Sequence, residues 1–248
     1  MSLVSVIMPY FKKRQYIEEA LQSILNQTYQ NFEIIIINDE VTADSQFILE
    51  NLTKIDFRIK LINNQNNLGA GPSRNKGIKI AKGDYIAFCD CDDFWKKTKL
   101  KTQLDFMKNY QTDFSFTSYD IVDKEGNKIG ARFADKEMTF KKLVDSCDIG
   151  LSTVVLKSSL LKKKNLNFPQ LKTKEDYVLW LNLANDGVKM FGLNESLSSW
   201  RKSNKSLSSS SLQKIFDGYK VYRYYLRFSV LKSLYSLFIL SMNFLIKK

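Results

Sequence analysis

The sequence predicts an α/β fold: a mostly parallel sheet flanked by helices, followed by a helical C-terminal tail. Three observations predict it. Strand-like and helix-like segments alternate through about the first 110 residues, the pattern of a parallel sheet with crossover helices. One of those strands, Phe32–Ile37, is dominated by β-branched residues, as in strands buried on both faces. The last fifty residues, 199–248, differ from the rest: they carry ten cations against Asp217 alone.

The elements follow in order. Leu3–Met8 is a short apolar run ended by Pro9, a strand. Ile17, Ala20, Leu21, Ile24 and Leu25 then recur at helical spacing. Phe32–Ile37 is the second strand, Phe47, Ile48 and Leu52 mark a helix, and Arg58–Ile62 is the third strand. Pro72, just behind Gly69–Gly71, opens the third helix, where its missing N–H costs nothing. Asp84–Cys89 is the fourth strand, and Leu100, Leu104 and Met107 mark the fourth helix. Beyond Asp113 the alternation loosens. Phe114–Val122 and Lys128–Phe133 flank Glu125-Gly126-Asn127 as a hairpin, and Tyr177, Trp180, Leu181 and Ala184 form another helix. Ser208–Ser211 is a polar break before the tail.

Composition excludes several classes. The chain has 248 residues, 44% apolar and 26% charged, which is globular and not disordered. Three prolines and ten glycines leave no linker for two full domains. One domain over 1–205, divided near residue 110, with a tail over 206–248, is the expected organisation. Histidine is absent, which removes Ser-His-Asp and Cys-His catalysis and every His-ligated metal site. Cys89, Cys91 and Cys147 cannot build a disulfide framework and suit a reducing compartment. They are too few for a closed zinc site. Leu3–Met8 has no basic flank, so it is not a secretory leader, and no 20-residue apolar span predicts a membrane crossing. The net charge of +12 lies mostly in the tail, beside tyrosines, phenylalanines and the apolar run Ser233–Ile246. That combination fits a helix lying in an anionic membrane surface, with a helix packed on the protein's own core as the alternative. No nucleic-acid module accompanies the charge, so nucleic acid is not an expected partner.

The sharpest constellation is Phe88-Cys89-Asp90-Cys91-Asp92-Asp93, at the end of the fourth strand. Ligands of open α/β sheets gather at the carboxyl ends of strands. In extended chain Asp90 and Asp92 share a face. Two convergent carboxylates without a nitrogen ligand suit a hard cation, Mg²⁺ or Mn²⁺, completed by water and substrate phosphates. A solvated acidic turn is the alternative for these residues taken alone.

Their context is specific. Val4-Ser5-Val6-Ile7-Met8-Pro9-Tyr10, Ser23-Ile24-Leu25-Asn26-Gln27-Thr28-Tyr29, Asn67-Leu68-Gly69, Ser73-Arg74-Asn75-Lys76-Gly77 and Gly83-Asp84-Tyr85-Ile86-Ala87-Phe88 precede or lead into the acidic cluster. Together these segments resemble family 2 glycosyltransferases of the GT-A fold. Near-continuous matches cover residues 3–100, and weaker, ordered ones reach about residue 210.

The resemblance implies a metal-dependent, inverting glycosyltransferase. Its donor would be a nucleotide-diphosphate sugar, a UDP-sugar by family habit. Its acceptor would be a glycan or lipid-linked hydroxyl in cell-surface polysaccharide, lipopolysaccharide or glycolipid synthesis. It further implies that Asp39 contacts the nucleobase, although Asn38, Glu40 and Val41 depart from the family's D-D-G-S. By the same resemblance Pro9 and Tyr10 would line the nucleotide, Arg74 would neutralise diphosphate, and Asp90 and Asp92 would hold the metal, with Asp93 as third acid. Arg201 and Lys202, in a late segment whose metal-binding His position is Ser203, would reach the diphosphate. Ser152 and Thr153 match the segment before the acceptor-site strand.

Lys174-Glu175-Asp176-Tyr177-Val178-Leu179-Trp180-Leu181 matches the family's E-D-Y-x-L-W-L, whose Asp is the general base for the acceptor hydroxyl. The alternative for Glu175 and Asp176 is helix capping from Thr173, with the helix dipole lowering the Asp176 pKa. Two other functions stay open: a degenerate homologue acting as a binding subunit, and a sugar nucleotidyltransferase. The second lacks the Gly-rich loop it would need after the first strand. A cytoplasmic enzyme, peripheral on the inner face of the cell membrane, is the expected setting.

Overall fold

A computed structural model describes residues 1–162, 166–202 and 211–246. The first four strands are β1 (Val4–Tyr10), β2 (Phe32–Asn38), β3 (Ile59–Asn63) and β4 (Tyr85–Phe88). They pair in parallel, in the order β3-β2-β1-β4. Between them run α1 (Arg14–Leu25), α2 (Ala43–Thr53) and α3 (Ala70–Ile80). The short β5 (Phe94–Trp95) and α4 (Lys99–Asn109) follow. This is the expected α/β alternation. It arises because β2 buries both faces: Ile35 and Ile37 enter one core, Ile34 and Ile36 the other.

The core under Ile34 and Ile36 is closed by Ile17, Ala20, Leu21 and Ile24 of α1, by Leu49 and Leu52 of α2 and by Leu100 and Met107 of α4. The opposite core is closed by Ile78 of α3 and by Tyr177 to Leu181. The second half is less regular. β6 (Phe114–Val122) and β7 (Lys128–Arg132) form the expected hairpin, followed by β8 (Glu137–Met138) and α5 (Phe140–Asp145). A single turn, Leu151–Thr153, leads to β9 (Val155–Lys157), α6 (Ser158–Lys162), α7 (Glu175–Asn185) and β10 (Met190–Arg201).

β9 enters antiparallel between β4 and β6, and β10 pairs parallel to β6. Parallel pairing therefore dominates only the first half, and one continuous mixed sheet joins the halves. Among the described residues no helix is long and apolar enough to cross a membrane.

The tail is two helices, α8 (Ser211–Lys220) and α9 (Val230–Ile246), joined through a π-helical turn at Val221–Tyr225. One side of the tail packs on the domain and the other is exposed. Val221, Tyr222 and Leu240 are buried in the domain core, and the Asn243 amide donates to the Asp145 carbonyl at 2.9 Å. The opposite side of α9 exposes Leu231, Leu234, Tyr235, Phe238 and Leu245. The Ser203 position, the boundary at 205–206 and Ser208 to Ser210 lie outside the described residues.

Candidate active site

The sequence-predicted residues gather at the carboxyl edge of β1, β2 and β4, joined by the first turn of α7. β4 ends at Phe88, so Asp90 and Asp92 do not lie on extended strand. A turn closed by the Asp93 N–H on the Asp90 carbonyl, 3.0 Å, brings the three acids together. Contrary to the expectation from i, i+2 spacing on a strand, the turn and not the strand makes the carboxylates converge.

Each acid has a different partner. Asp90 accepts from Arg74 Nη2 at 2.7 Å, and Asp92 from Lys13 Nζ at 2.6 Å. Asp93 is buried and accepts from Ser152 Oγ at 2.6 Å and from the Arg201 N–H at 3.1 Å. Burial, then the Asp90 charge, pushes the Asp92 carboxyl above its usual range despite Lys13. Asp93 is pushed up strongly, by burial first and then by Asp92 and Asp90. Cys89 and Cys91 are buried free thiols, held protonated by burial and by these acids.

A divalent cation fits Asp90 and Asp92. Their side chains stay 34% and 17% exposed, their oxygens are hard donors, and their mutual repulsion is of the kind a cation relieves. Among the described residues no group of three or more acids, cysteines or histidines is arranged to hold a metal ion, so a cation on these two carboxylates would need substrate or water oxygens to complete its shell. Lys13 would have to share Asp92 with the ion or leave it.

Arg74 is the centre of the arrangement. It lies buried on α3, which approaches the α7 loop because Gly71 has no Cβ: one there would meet the Pro169 carbonyl at 2.8 Å. The guanidinium binds Asp90 with one nitrogen and Glu175 Oε1 with another, at 2.6 Å. Burial opposes its charge, but Asp90 and Glu175 outweigh burial and raise its pKa. Its Nε has no partner among the described residues. Arg74, expected at the diphosphate, here ties the acidic turn of β4 to the acidic start of α7.

Asp176 stands beside that bridge. Its Oδ1 accepts from the Tyr177 N–H at 2.8 Å. Burial, then the Glu175 charge, lifts its pKa to about 7 against the opposing pull of Arg74. The expected depression by the helix dipole is thus overturned, because desolvation of the anion outweighs the helix start. The capping alternative fails too. The residue before α7 is Lys174, at φ 65°, and Thr173 Oγ1 donates instead to Asp217 Oδ2 at 2.9 Å.

The remaining residues are placed as follows. Asp39 is buried at the end of β2 and accepts from Asn64 Nδ2 (2.7 Å), the Leu68 N–H (2.8 Å) and the Gly69 N–H (2.8 Å). It organises the loop before α3. Pro9 and Tyr10 end β1, and Tyr10 lines a cleft of about 550 Å³ with Lys12, Glu40, Asp44 and Ser45. Burial, then Glu40, pushes the Tyr10 hydroxyl up to about 12. Arg201, expected at the diphosphate, is turned inward. Its guanidinium binds Glu19 and the carbonyls of Asp92, Asp123 and Lys124, so it buttresses the acidic turn from behind. Ser152 and Thr153 are buried; Ser152 Oγ serves Asp93 and the Asp90 N–H.

Sequence reasoning missed Lys13 and Asp217. The basic triplet Lys12-Lys13-Arg14, one residue past Pro9-Tyr10, was a usable signal for Lys13. Asp217, the single acid of the last fifty residues, was a signal of its own.

Comparison with known proteins bears on the family and the fold. The sequence model of Glycosyl transferase family 2 matches residues 5–168. A Bacillus subtilis glycosyltransferase assigned to teichuronic acid biosynthesis, TuaG, is 36% identical over 222 residues, 89% of this chain and 87% of the relative. The Escherichia coli UDP-Glc:α-D-GlcNAc-diphosphoundecaprenol β-1,3-glucosyltransferase WfaP is 39% identical over 189 residues, 76% of this chain and 73% of the relative. Among solved structures, S. aureus TarS 1–349 in complex with UDP-GlcNAc superposes with a TM-score of 0.76 at 22% identity, covering 96% of this chain and 70% of that one. The Pyrobaculum calidifontis mannosyltransferase PcManGT with GDP-Man and Mn²⁺ gives 0.71 at 13%, covering 94% and 69%. At these identities the two structures speak for the fold.

Proposed function

The chain belongs to glycosyl transferase family 2, and on that premise we propose that it transfers a sugar, with inversion, from a UDP-sugar to a hydroxyl of a lipid-linked precursor of cell-surface polysaccharide. The observation that carries the reading is the Asp90–Arg74–Glu175 bridge beside Asp176. It supports the reading because two acids suited to a diphosphate-side cation and a carboxyl with a pKa near 7 lie on one edge of the sheet. Relatives of similar length that act on UDP-glucose and on a diphosphoundecaprenol-linked sugar support donor and acceptor class.

In this reading Pro9 and Tyr10 border the nucleotide and Asp39 shapes the loop beneath it. Asp90 and Asp92 would hold Mg²⁺ or Mn²⁺, which would supply positive charge for the leaving diphosphate. Arg74 keeps Asp90 and Glu175 in register. Asp176 accepts the acceptor proton as the hydroxyl attacks the anomeric carbon opposite the diphosphate, through an oxocarbenium-like state. A pKa near 7 suits that task, since the base must be ionised yet basic enough to draw the proton.

The exposed face of α9, with Lys214, Lys220, Arg223, Arg227 and Lys232 nearby in sequence, supports a peripheral seat on an anionic membrane surface, on the side where nucleotide sugars are made. Release of UDP from a panel of UDP-sugars, with water as acceptor, identifies the donor. Asp176→Asn is expected to lower turnover at least about a hundredfold with UDP affinity retained. Asp92→Ala should lose metal-dependent UDP binding. Parental turnover in Asp176→Asn would remove the base assignment.

A further inference from the structure

We infer that Asp217, on the C-terminal helix α8, is a positioning residue for Asp176, so that the tail completes the active site as well as flanking it. The inference rests on the reading of Asp176 as the base.

Three contacts carry it. Asp217 is 1% exposed, and its Oδ2 accepts from both the N–H and the hydroxyl of Thr173, at 3.0 and 2.9 Å. A buried carboxylate gripping two donors is a strong anchor. Thr173 lies just before Lys174, whose φ of 65° is a conformation a residue with a Cβ rarely adopts. That strained turn must be held on both sides. Asp217 fixes the residue before it, and Arg74 fixes Glu175 after it. The Asp176 carboxylate follows one position later.

The second contact reaches α7 from the same tail. Tyr222 Oη lies 3.1 Å from Tyr177 Oη and donates to the Val144 carbonyl at 2.7 Å. Tyr177 is the residue whose N–H donates to Asp176.

The third is a close approach at Gly218. A Cβ there would stand 2.8 Å from Leu237 of α9 and 3.6 Å from Lys174 Cε. The glycine seats α8 against both its partner helix and the strained residue.

The test uses full-length Asp217→Ala and Thr173→Val beside Asp176→Asn. Titration calorimetry with UDP and Mn²⁺ reports whether the donor half is intact. UDP release from the donor found in the panel gives kcat, KM and their pH dependence. Asp217→Ala is expected to lower kcat about ten- to a hundredfold, as a misplaced catalytic group does, with donor KM and UDP affinity within about twofold. Thr173→Val, which removes one of the two bonds, should lower it less. The acid limb of kcat should also move to lower pH, because a loosened turn admits water to a carboxyl that burial holds up. The groups facing Asp176 are Glu175, Lys174 and Tyr177 on its own element, Arg74 of α3, and Cys147 from the loop after α5.

Hydrogen exchange over residues 173–180 gives a readout independent of turnover, and it should accelerate in Asp217→Ala. Parental kcat, pH profile and exchange in both variants would overturn the positioning role while an inactive Asp176→Asn keeps the base. Parental turnover in Asp176→Asn would overturn both.

Discussion

Two opposing effects meet at Asp176. A helix start favours the anion, whereas burial and the Glu175 charge favour the proton, and their sum brings the pKa to about 7. Turnover should therefore rise with pH through about 7, as the base loses its proton, and a kcat–pH profile on the chosen donor checks this. The same shift has a stability consequence of fixed sign. A carboxyl at about 7 when folded and 3.8 when unfolded binds more protons in the folded state between those values, so its contribution falls as pH rises through that window. Asp176→Asn is expected to melt higher than the parent at pH 8 by a few degrees, about 2–4 °C for each kcal/mol, with the gain gone at pH 4. The loss of turnover and the gain in melting temperature would come from one carboxylate. Arg74 shows the same point from the cation's side: it is stable when buried because two carboxylates face it.

Among the elements, α4 carries an unusual burden. Lys99 is fully buried with Nζ over the Trp95 ring at 4.3 Å and bonded to Gln103 Oε1 at 2.6 Å. Burial lowers its pKa to about 7. Unfolded, the amine keeps its proton to about 10.5; folded, it loses it above about 7. The unfolded state binds more protons in between, so stability should rise with pH across that range. Lys99→Met should flatten that rise in melting scans between pH 7 and 10, whatever its absolute effect on melting temperature. Gln103 in turn donates to Ser115 Oγ and the Thr153 carbonyl, so α4 also sets the turn that delivers Ser152 to Asp93.

For the whole molecule, the tail is both a rear wall and a surface. Cutting it at Ser211 would remove Val221, Tyr222 and Leu240 from the core, so truncation cannot isolate membrane binding from folding. Substitutions on the outer face can. Leu231→Ser with Phe238→Ser should weaken flotation with anionic vesicles at least about tenfold, or 1.4 kcal/mol, with UDP binding unchanged. High salt should weaken the parent as well, since each cation near an anionic leaflet contributes about 1 kcal/mol. Equal flotation of parent and variant would assign the face to something other than lipid.

The α/β alternation, the hairpin, the acidic cluster and the Glu175-Asp176 helix start were all readable from the sequence alone. Each is a local pattern: periodicity sets which side chains share a face, and motif spacing survives any change of surroundings. The tertiary structure decided what periodicity cannot encode. Arg74 and Glu175 are 101 residues apart, and Thr173 and Asp217 are 44 apart. Only packing brings such pairs within 3 Å, removes their water, and so determines that Arg74 bridges two acids, that Arg201 faces inward and that Asp39 holds a loop. The direction of the Asp176 pKa depended on the same removal of water. The helix dipole was visible from the sequence; the burial that outweighs it exists only once the chain has closed over the site.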